Sequence, residues 1–340
     1  MKFRIVELFK DYFQGNSFVN YIEGRNVEHD VFWFFKNKSG KMFLNKRELI
    51  IQEFRCLIIL LINVGGFRNK KIVSFGGHYS LLVMTKVFGF LLGPDYHLYI
   101  YNFYLHGLGS KKVIKIIMHF LLDTKRTTLF VQSPDELNYF SSLSKNAIHF
   151  IPYCEDPGFS VDNSKSIDGD YIFTGGYTNR DYTLILKCAR LNPTLKFVLV
   201  VSRSNKEINS KDLSDNIVIY EEVDMPTFNG LMEKSYGVII PLKENVGASG
   251  QMLCLGAMKM SKPIIYCDIS SINYYFKDTD CGIPYSIGEL DSLNEAVHKL
   301  YSGEIDINSM GERAYIHFSE NYTLNKRNEK ISNLILQKQE

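Results

Sequence analysis

The sequence is short of the features that mark secreted, membrane-spanning or nucleic-acid-binding proteins. Its six cysteines (Cys56, Cys154, Cys188, Cys254, Cys267 and Cys281) form no CxxC pair and mostly sit inside apolar runs. Such spacing argues against zinc and disulfide roles and for reduced thiols that pack as small hydrophobes. Charge of one sign is lacking too. Formal net charge is +2, so the overall balance calls for no nucleic-acid partner. Long hydrophobic runs are absent: the most apolar window, residues 56–64, is about half the ~20 residues that a spanning helix needs, and Arg55 and Arg68 bracket it. The opening "MKFRIVELFKDYFQ" lacks the apolar core of a secretion signal, so a cytoplasmic location is expected.

What is present is length and apolar content. With 340 residues and 45% apolar composition, two domains are expected. From residue 170 onward, β-rich runs at 171–174, 197–201, 217–220, 237–242 and 264–267 alternate with helical patterns. Most are apolar on both faces, as strands covered by helices on each side must be. The first half repeats the alternation less regularly, with strands expected at 71–77, 97–104, 127–133 and 147–153. The polar, turn-rich "CEDPGFSVDNSKSIDGD" between the halves reads as a linker. The expectation is therefore an α/β chain of two doubly wound, Rossmann-like domains, 1–155 and 156–320, with a ligand in the cleft between them at the strands' carboxyl ends.

Two loops carry the chemistry. In "FTGGYTNRDYTLIL" a strand stops at Gly175 and Gly176, and a helix capped by Asn179 or Asp181 restarts near Tyr182. That helix start and the fork of Arg180 suit phosphate oxygens, although Arg180 could equally pair with a surface carboxylate. In "GVIIPLKENVGASGQMLCLGAMKMSKPIIYCD" a flexible loop with Ser249 and Gly250 precedes a nearly all-apolar helix from Gln251. This second helix start either grips the same anion or merely caps a core helix.

The order of these stretches, with "LVVSRSN" and "NIVIYEEVDMPTFNGLMEKSYGVIIPL" between them, resembles the nucleotide-sugar-binding half of GT-B glycosyltransferases, in a family 4-like form. The stretch "TTLFVQSPDELNYFSSLSKNAIHFIPYCED" looks like the end of such an enzyme's acceptor-side domain, so the resemblance covers roughly residues 70–320. It implies a GT-B fold and places Gly175, Gly176, Arg180 and Arg203 against the donor diphosphate. It likewise puts Tyr220 and Val223 around the base, and Ser249, Gly250 and Gln251 toward the phosphates and sugar. Arg180 would stabilise the leaving group. One departure stands out: many retaining members carry two glutamates eight residues apart in the last motif, where this chain has Ala248 and Gly256.

No metal site emerges. Asp278 and Asp280 in "FKDTDCGIPY" read as a turn before a short strand, and the two-sheet pattern favours metal-free chemistry with no cofactor. Candidates for the base that activates an acceptor hydroxyl are His78 and His106. Each could be structural, and His106 is preferred because it ends a strand beside glycines. Lys111, Lys112 and Lys115, among Ile114, Ile117, Phe120 and Leu121, suggest a helix facing an anionic membrane, with Arg68, Lys70 and Lys71 adding charge; a solvated basic helix explains them nearly as well. The C-terminal run 321–340 is placed like the last GT-B helix, which returns to the first domain.

The expected function is transfer of a sugar, of the hexosyltransferase type, from a nucleoside-diphosphate sugar to a glycan or lipid-linked acceptor. The family's habit suggests bacterial exopolysaccharide, capsule or lipopolysaccharide assembly, cytoplasmic and peripheral to the plasma membrane. Alternatives are a non-catalytic nucleotide-sugar-binding partner of another transferase and a nucleotide-sugar epimerase on the same fold.

Overall fold

The structure is a computed structural model that describes residues 2–9, 16–35, 46–76, 79–102, 112–144, 146–165, 167–202, 208, 213–245 and 247–336. The chain divides into two compact units, Met1–Pro152 with Arg327–Glu340, and Tyr153–Lys326. In each, a six-stranded parallel sheet is covered by helices, so each is Rossmann-like.

The first unit runs β1 (Phe3–Phe9), α1 (Asn16–Glu23), β2 (His29–Phe35), α2 (Lys46–Ile62), β3 (Lys71–Ser74), α3 (Tyr79–Val87), β4 (His97–Tyr101), α4 (Lys112–Leu122), β5 (Thr127–Val131), α5 (Pro134–Leu143) and β6 (Ala147–Phe150). Its strand order is β2-β1-β3-β4-β5-β6. One face is covered by α2 to α5, through Cys56, Leu60, Leu81, Met84, Leu121 and Phe140. The other is covered by α1 and by the last helix of the chain, through Phe18, Ile22, Ile331 and Ile335.

Strands β1 and β2 were not among the runs expected from the sequence. The reason is charge inside them. Arg4 of β1 pairs with Asp30 of β2 at 3.0 Å, Lys70 joins the same carboxylate at 3.0 Å, and the Arg4 guanidinium lies over the rings of Phe32 and Phe67. These partners are remote in sequence, so the strands look too polar when read locally. The apolar run "YSLLVMTKVFGFLL" splits into α3 and a 3-10 turn, Gly89–Leu92. A Cβ at Gly89 would stand 2.6 Å from the Tyr96 hydroxyl, so the chain turns there on a residue without one.

The second unit runs β7 (Tyr171–Gly176), α6 (Tyr182–Leu191), β8 (Lys196–Val201), β9 (Ile217–Glu221), α7 (Met225–Glu233), β10 (Gly237–Ile240), α8 (Gln251–Lys259), β11 (Ile264–Cys267), α9 (Ser270–Asn273), β12 (Ile283–Tyr285), α10 (Leu290–Tyr301) and α11 (Ile307–Asn321). Helix α12 (Leu324–Leu336) then carries the chain into the first unit from Arg327 onward. The strand order is β12-β11-β10-β7-β8-β9, and one hydrophobic cluster spans the sheet and its helices.

Candidate functional site

In the second sheet the chain winds outward from β7 through β8 to β9, then crosses back to place β10 on the other side of β7. This reversal is the position where open parallel sheets leave a ligand crevice at the carboxyl ends of their strands. The loops concerned are 177–181, after β7, and 241–250, after β10.

The two loops are fastened to each other. Asn179, at φ 55°, donates through Nδ2 to the Glu244 carbonyl at 2.8 Å and accepts from the Glu244 amide at 3.2 Å. The Asp181 amide donates to the Pro241 carbonyl at 3.1 Å, and Arg180 and Leu242 form an isolated antiparallel bridge. Of the two expected caps, Asp181 serves α6, accepting from the Leu184 amide at 2.9 Å. Tyr182, fully buried, ties the loop to the sheet: its hydroxyl donates to the carbonyls of Gly176 and Val200, at 2.8 and 3.1 Å.

Arg180 is 7% exposed. Its Nε donates to the Gly175 carbonyl at 3.0 Å and its Nη1 to the Thr178 carbonyl at 2.8 Å. Among the described residues no carboxylate stands within ion-pairing distance of it and Nη2 has no hydrogen-bond partner. Burial lowers its pKa from the usual guanidinium value, with the neighbouring Tyr182 and Tyr285 opposing that shift. A guanidinium out of water without a counter-charge is expensive, and an anion placed against it would offset the cost. Two of its bonds fix the fork in place; the remaining edge can meet phosphate oxygens.

The glycines beside it make room for the chain's own groups rather than for a ligand's approach to the backbone. A Cβ at Gly175 would stand 2.5 Å from the Phe228 ring of α7, and one at Gly176, at φ 136°, would stand 2.6 Å from Nε and Nη2 of Arg180. On the other side of the switch point Gly250, at φ 83°, begins α8 without a side-chain cap, and a Cβ there would meet Ile240, Ile272 and Leu242 at 3.0–3.2 Å. Gln251 is buried beside it. Further along the same helix the surroundings of Gly256 are apolar, and a Cβ would stand 2.9 Å from Met232 Cε.

Gly175, Gly176 and Arg180, at and after the end of β7, and Ser249, Gly250 and Gln251, between β10 and α8, thus follow neighbouring strands of the sheet. Tyr220 and Val223 lie at the end of β9, two strands away at the sheet edge, both half-buried. Between them Glu222, at φ 51°, accepts at 2.9 Å from the Ser202 hydroxyl. Arg203, His106, His78 and Lys111 lie outside the described residues; Lys112 and Lys115 are on α4, but their side chains are also outside them. Phe228 and Tyr182 were not singled out as shaping the site, and Asn179 was read only as a possible helix cap. Only Asn179, a residue type that tolerates φ above zero, carried a local signal.

Asp278, at φ 58°, belongs to a turn, and the carbonyl of Asp280 accepts from Nε and Nη2 of Arg313. Among the described residues no cluster of three His, Cys, Asp or Glu side chains could hold a metal ion.

No protein-family model and no curated protein matches the chain by sequence. Solved structures match its fold along nearly its whole length. A sucrose-phosphate synthase from Thermosynechococcus elongatus superposes with a TM-score of 0.72 at 10% identity, over 99% of this chain and 98% of that one. HepE of Anabaena, solved with UDP and glucose, matches at 0.66 and 11% identity over 98% and 99%. WaaG, a glycosyltransferase of lipopolysaccharide biosynthesis, matches at 0.63 and 12% identity over 98% and 100%. The fold is that of the GT-B glycosyltransferases.

Proposed function

We propose that the protein transfers a sugar, of the hexosyl type, from a nucleoside-diphosphate sugar to a glycan or lipid-linked acceptor in the assembly of a bacterial surface polysaccharide. The observation that carries this reading is Arg180: a buried cation with no carboxylate partner among the described residues, at the switch point of the second sheet. A diphosphate supplies the missing counter-charge, and as it leaves, developing negative charge is met by a donor already fixed in position. The α8 start at Gly250 faces the same switch point and adds backbone donors. The complexes of HepE with UDP and with UDP-glucose support the donor class. Metal independence belongs to the same reading, since Arg180 and helix starts would neutralise the charge. Arg203 is assigned to the same diphosphate, and His106 to the proton of the acceptor hydroxyl. Peripheral attachment at the inner face of the plasma membrane completes the reading.

A second reading has an observation of its own. Gly256 occupies the place where the resemblance leads one to look for a carboxylate, and Met232 covers it. That favours a nucleotide-binding partner without turnover.

The test is a thermal-shift series with UDP, GDP, dTDP, CMP and their sugar conjugates, on the wild type and Arg180→Ala. A ligand at ~100 times its dissociation constant adds ~2.7 kcal/mol to the folded state. One base should stand out, and Arg180→Ala should weaken its binding by at least ~1.5 kcal/mol. Unchanged affinity removes Arg180 from the site. Nucleotide binding without release of diphosphate would select the second reading, turnover of the sugar nucleotide alone would mean an epimerase, and activity abolished by EDTA would overturn metal independence.

A further inference from the structure

The helical layer formed by α2 to α5 leaves a set of large apolar side chains facing outward. Helix α2 contributes five: Ile50 (69% exposed), Ile51, Phe54 (63%), Ile58 and Ile62 (77%). Residues 50, 54, 58 and 62 repeat every fourth position, which keeps them on one slowly turning stripe. On the opposite side of the same helix Cys56 and Leu60 are fully buried in the unit's core, so the stripe is not the face that holds the fold together. Next to α2, α3 ends in exposed Val87, and the 3-10 turn adds Phe90 and Leu91. Helix α4, in contact with α3, adds Ile116, Ile117 and Phe120.

On α2 itself the exposed charge has one sign, while Asp123 after α4 pairs with Lys86. Among the described residues of α2 the exposed charged ones are Arg47 and Arg55, while Glu48 and Glu53 are half-buried and Glu53 accepts from the Ser80 amide at 2.7 Å. By contrast Lys70 and Lys71, which the sequence suggested for this role, turn inward: Lys70 pairs with Asp30, and Lys71 donates to the Ile335 carbonyl.

An apolar stripe of this size is uncommon on a surface left in water, and a basic frame is complementary to anionic headgroups. We propose that the outward face of α2, continued by Phe90 and by α4, docks on an anionic lipid bilayer, with α2 lying in the interfacial plane. This deepens the membrane part of the proposed function and is independent of the donor chemistry. It moves the principal contact from the basic start of α4 to α2, where the exposed apolar groups are most numerous.

The experiment is co-sedimentation of the full chain with vesicles of phosphatidylglycerol and phosphatidylcholine, and with vesicles of phosphatidylcholine alone. It compares the wild type, Phe54→Glu/Ile58→Glu, and Tyr315→Glu/Ile316→Glu as a control on exposed apolar residues of α11. The wild type and the control should bind the anionic vesicles and leave the neutral ones, and the α2 variant should bind at least about tenfold more weakly. Arg47→Glu/Arg55→Glu should weaken binding in the same direction, and serves as the second variant if the first misfolds. The proposal is overturned if the wild type ignores anionic vesicles, if the α2 variants bind like the wild type, or if light scattering shows a dimer that these variants dissociate, which would make a second copy the occupant. Nucleotide-induced thermal shifts, read on the same samples, separate failure of this surface from failure of the donor site.

Discussion

The space that a side chain would need at Gly176 is filled by the guanidinium of Arg180, 2.6 Å from where a Cβ would stand. Glycine and arginine form one device here. The backbone at φ 136° and the missing Cβ let the arginine fold back over its own strand end, where the Gly175 carbonyl receives Nε. Substituting Gly176 with Ala should therefore destabilise the protein by about 1–3 kcal/mol and displace the fork from the switch point. Chemical denaturation and diphosphate titration of Gly176→Ala, Arg180→Ala and the double variant would check this. Removing Arg180 relieves the contact but not the strained φ, so the double variant should recover part of the stability and none of the binding. Full additivity would show that the two residues do not act together.

His97 gives a pH dependence with a definite sign. Its Nε2 lies 2.9 Å from the Thr128 hydroxyl, its ring is tilted by 33° against Tyr99 with centroids 4.5 Å apart, and burial, helped by Lys71 and Arg126, pushes its pKa down from 6.5 to about 4. Above pH 6.5 the ring is neutral whether the chain is folded or not. Between 6.5 and about 4 the unfolded chain binds a proton that the folded one refuses, so stability falls as pH drops through that window. Urea midpoints across it should decline in the wild type and decline less in His97→Gln. Equal slopes would exclude His97 as a source of the acid sensitivity.

The two halves of the chain differ in how much their sequences disclose, and the reason is where the partners lie. Strands β8, β10 and β11 are buried on both faces, so "FVLVV", "GVII" and "IIYC" announce themselves as apolar runs. Strand β1 is a central strand of its sheet, yet it holds Arg4, matched by Asp30 in the next strand, and a buried Glu7. Nothing within seven residues reveals that match. The turn that carries Arg180 was legible because a Gly-Gly pair, a polar loop and an apolar helix follow in order. What fills the space around it was not: Phe228 arrives from α7, some fifty residues along the chain, and only packing shows that it occupies the room beside Gly175.

Lys259 and Glu155 form an ion pair at 2.7 Å with side chains only 10% and 14% exposed. Burial pushes the Glu155 carboxyl up, and Lys259 opposes the shift. The pair holds the end of α8 against the segment that opens the second unit, where the Glu155 backbone also exchanges hydrogen bonds with Tyr322 and Leu324. Lys259→Met should cost about 3 kcal/mol by leaving a buried carboxylate without its cation, and Glu155→Gln added to it should restore part of the loss. Thermal denaturation of the two variants decides the matter. A Lys259→Met protein as stable as the wild type would mean that the pair is solvated in solution.

Gly256 is where the two functional readings part. It sits on buried α8, and the group nearest to an added Cβ is the methyl of Met232, the mobile end of a flexible side chain. Alanine should therefore be accommodated, with a change within about 1 kcal/mol, because the helix gains propensity while Met232 gives way. Glutamate should not. A carboxylate placed against the Met232 side chain is taken out of water, so Gly256→Glu should lose at least about 2 kcal/mol of stability and leave nucleotide affinity no better. Urea denaturation and UDP titration of Gly256→Ala and Gly256→Glu would read both effects. If instead Gly256→Glu folds normally and binds the nucleotide more tightly, the position faces the ligand, and the native glycine marks a site relieved of one of its grips, as a partner without turnover would be.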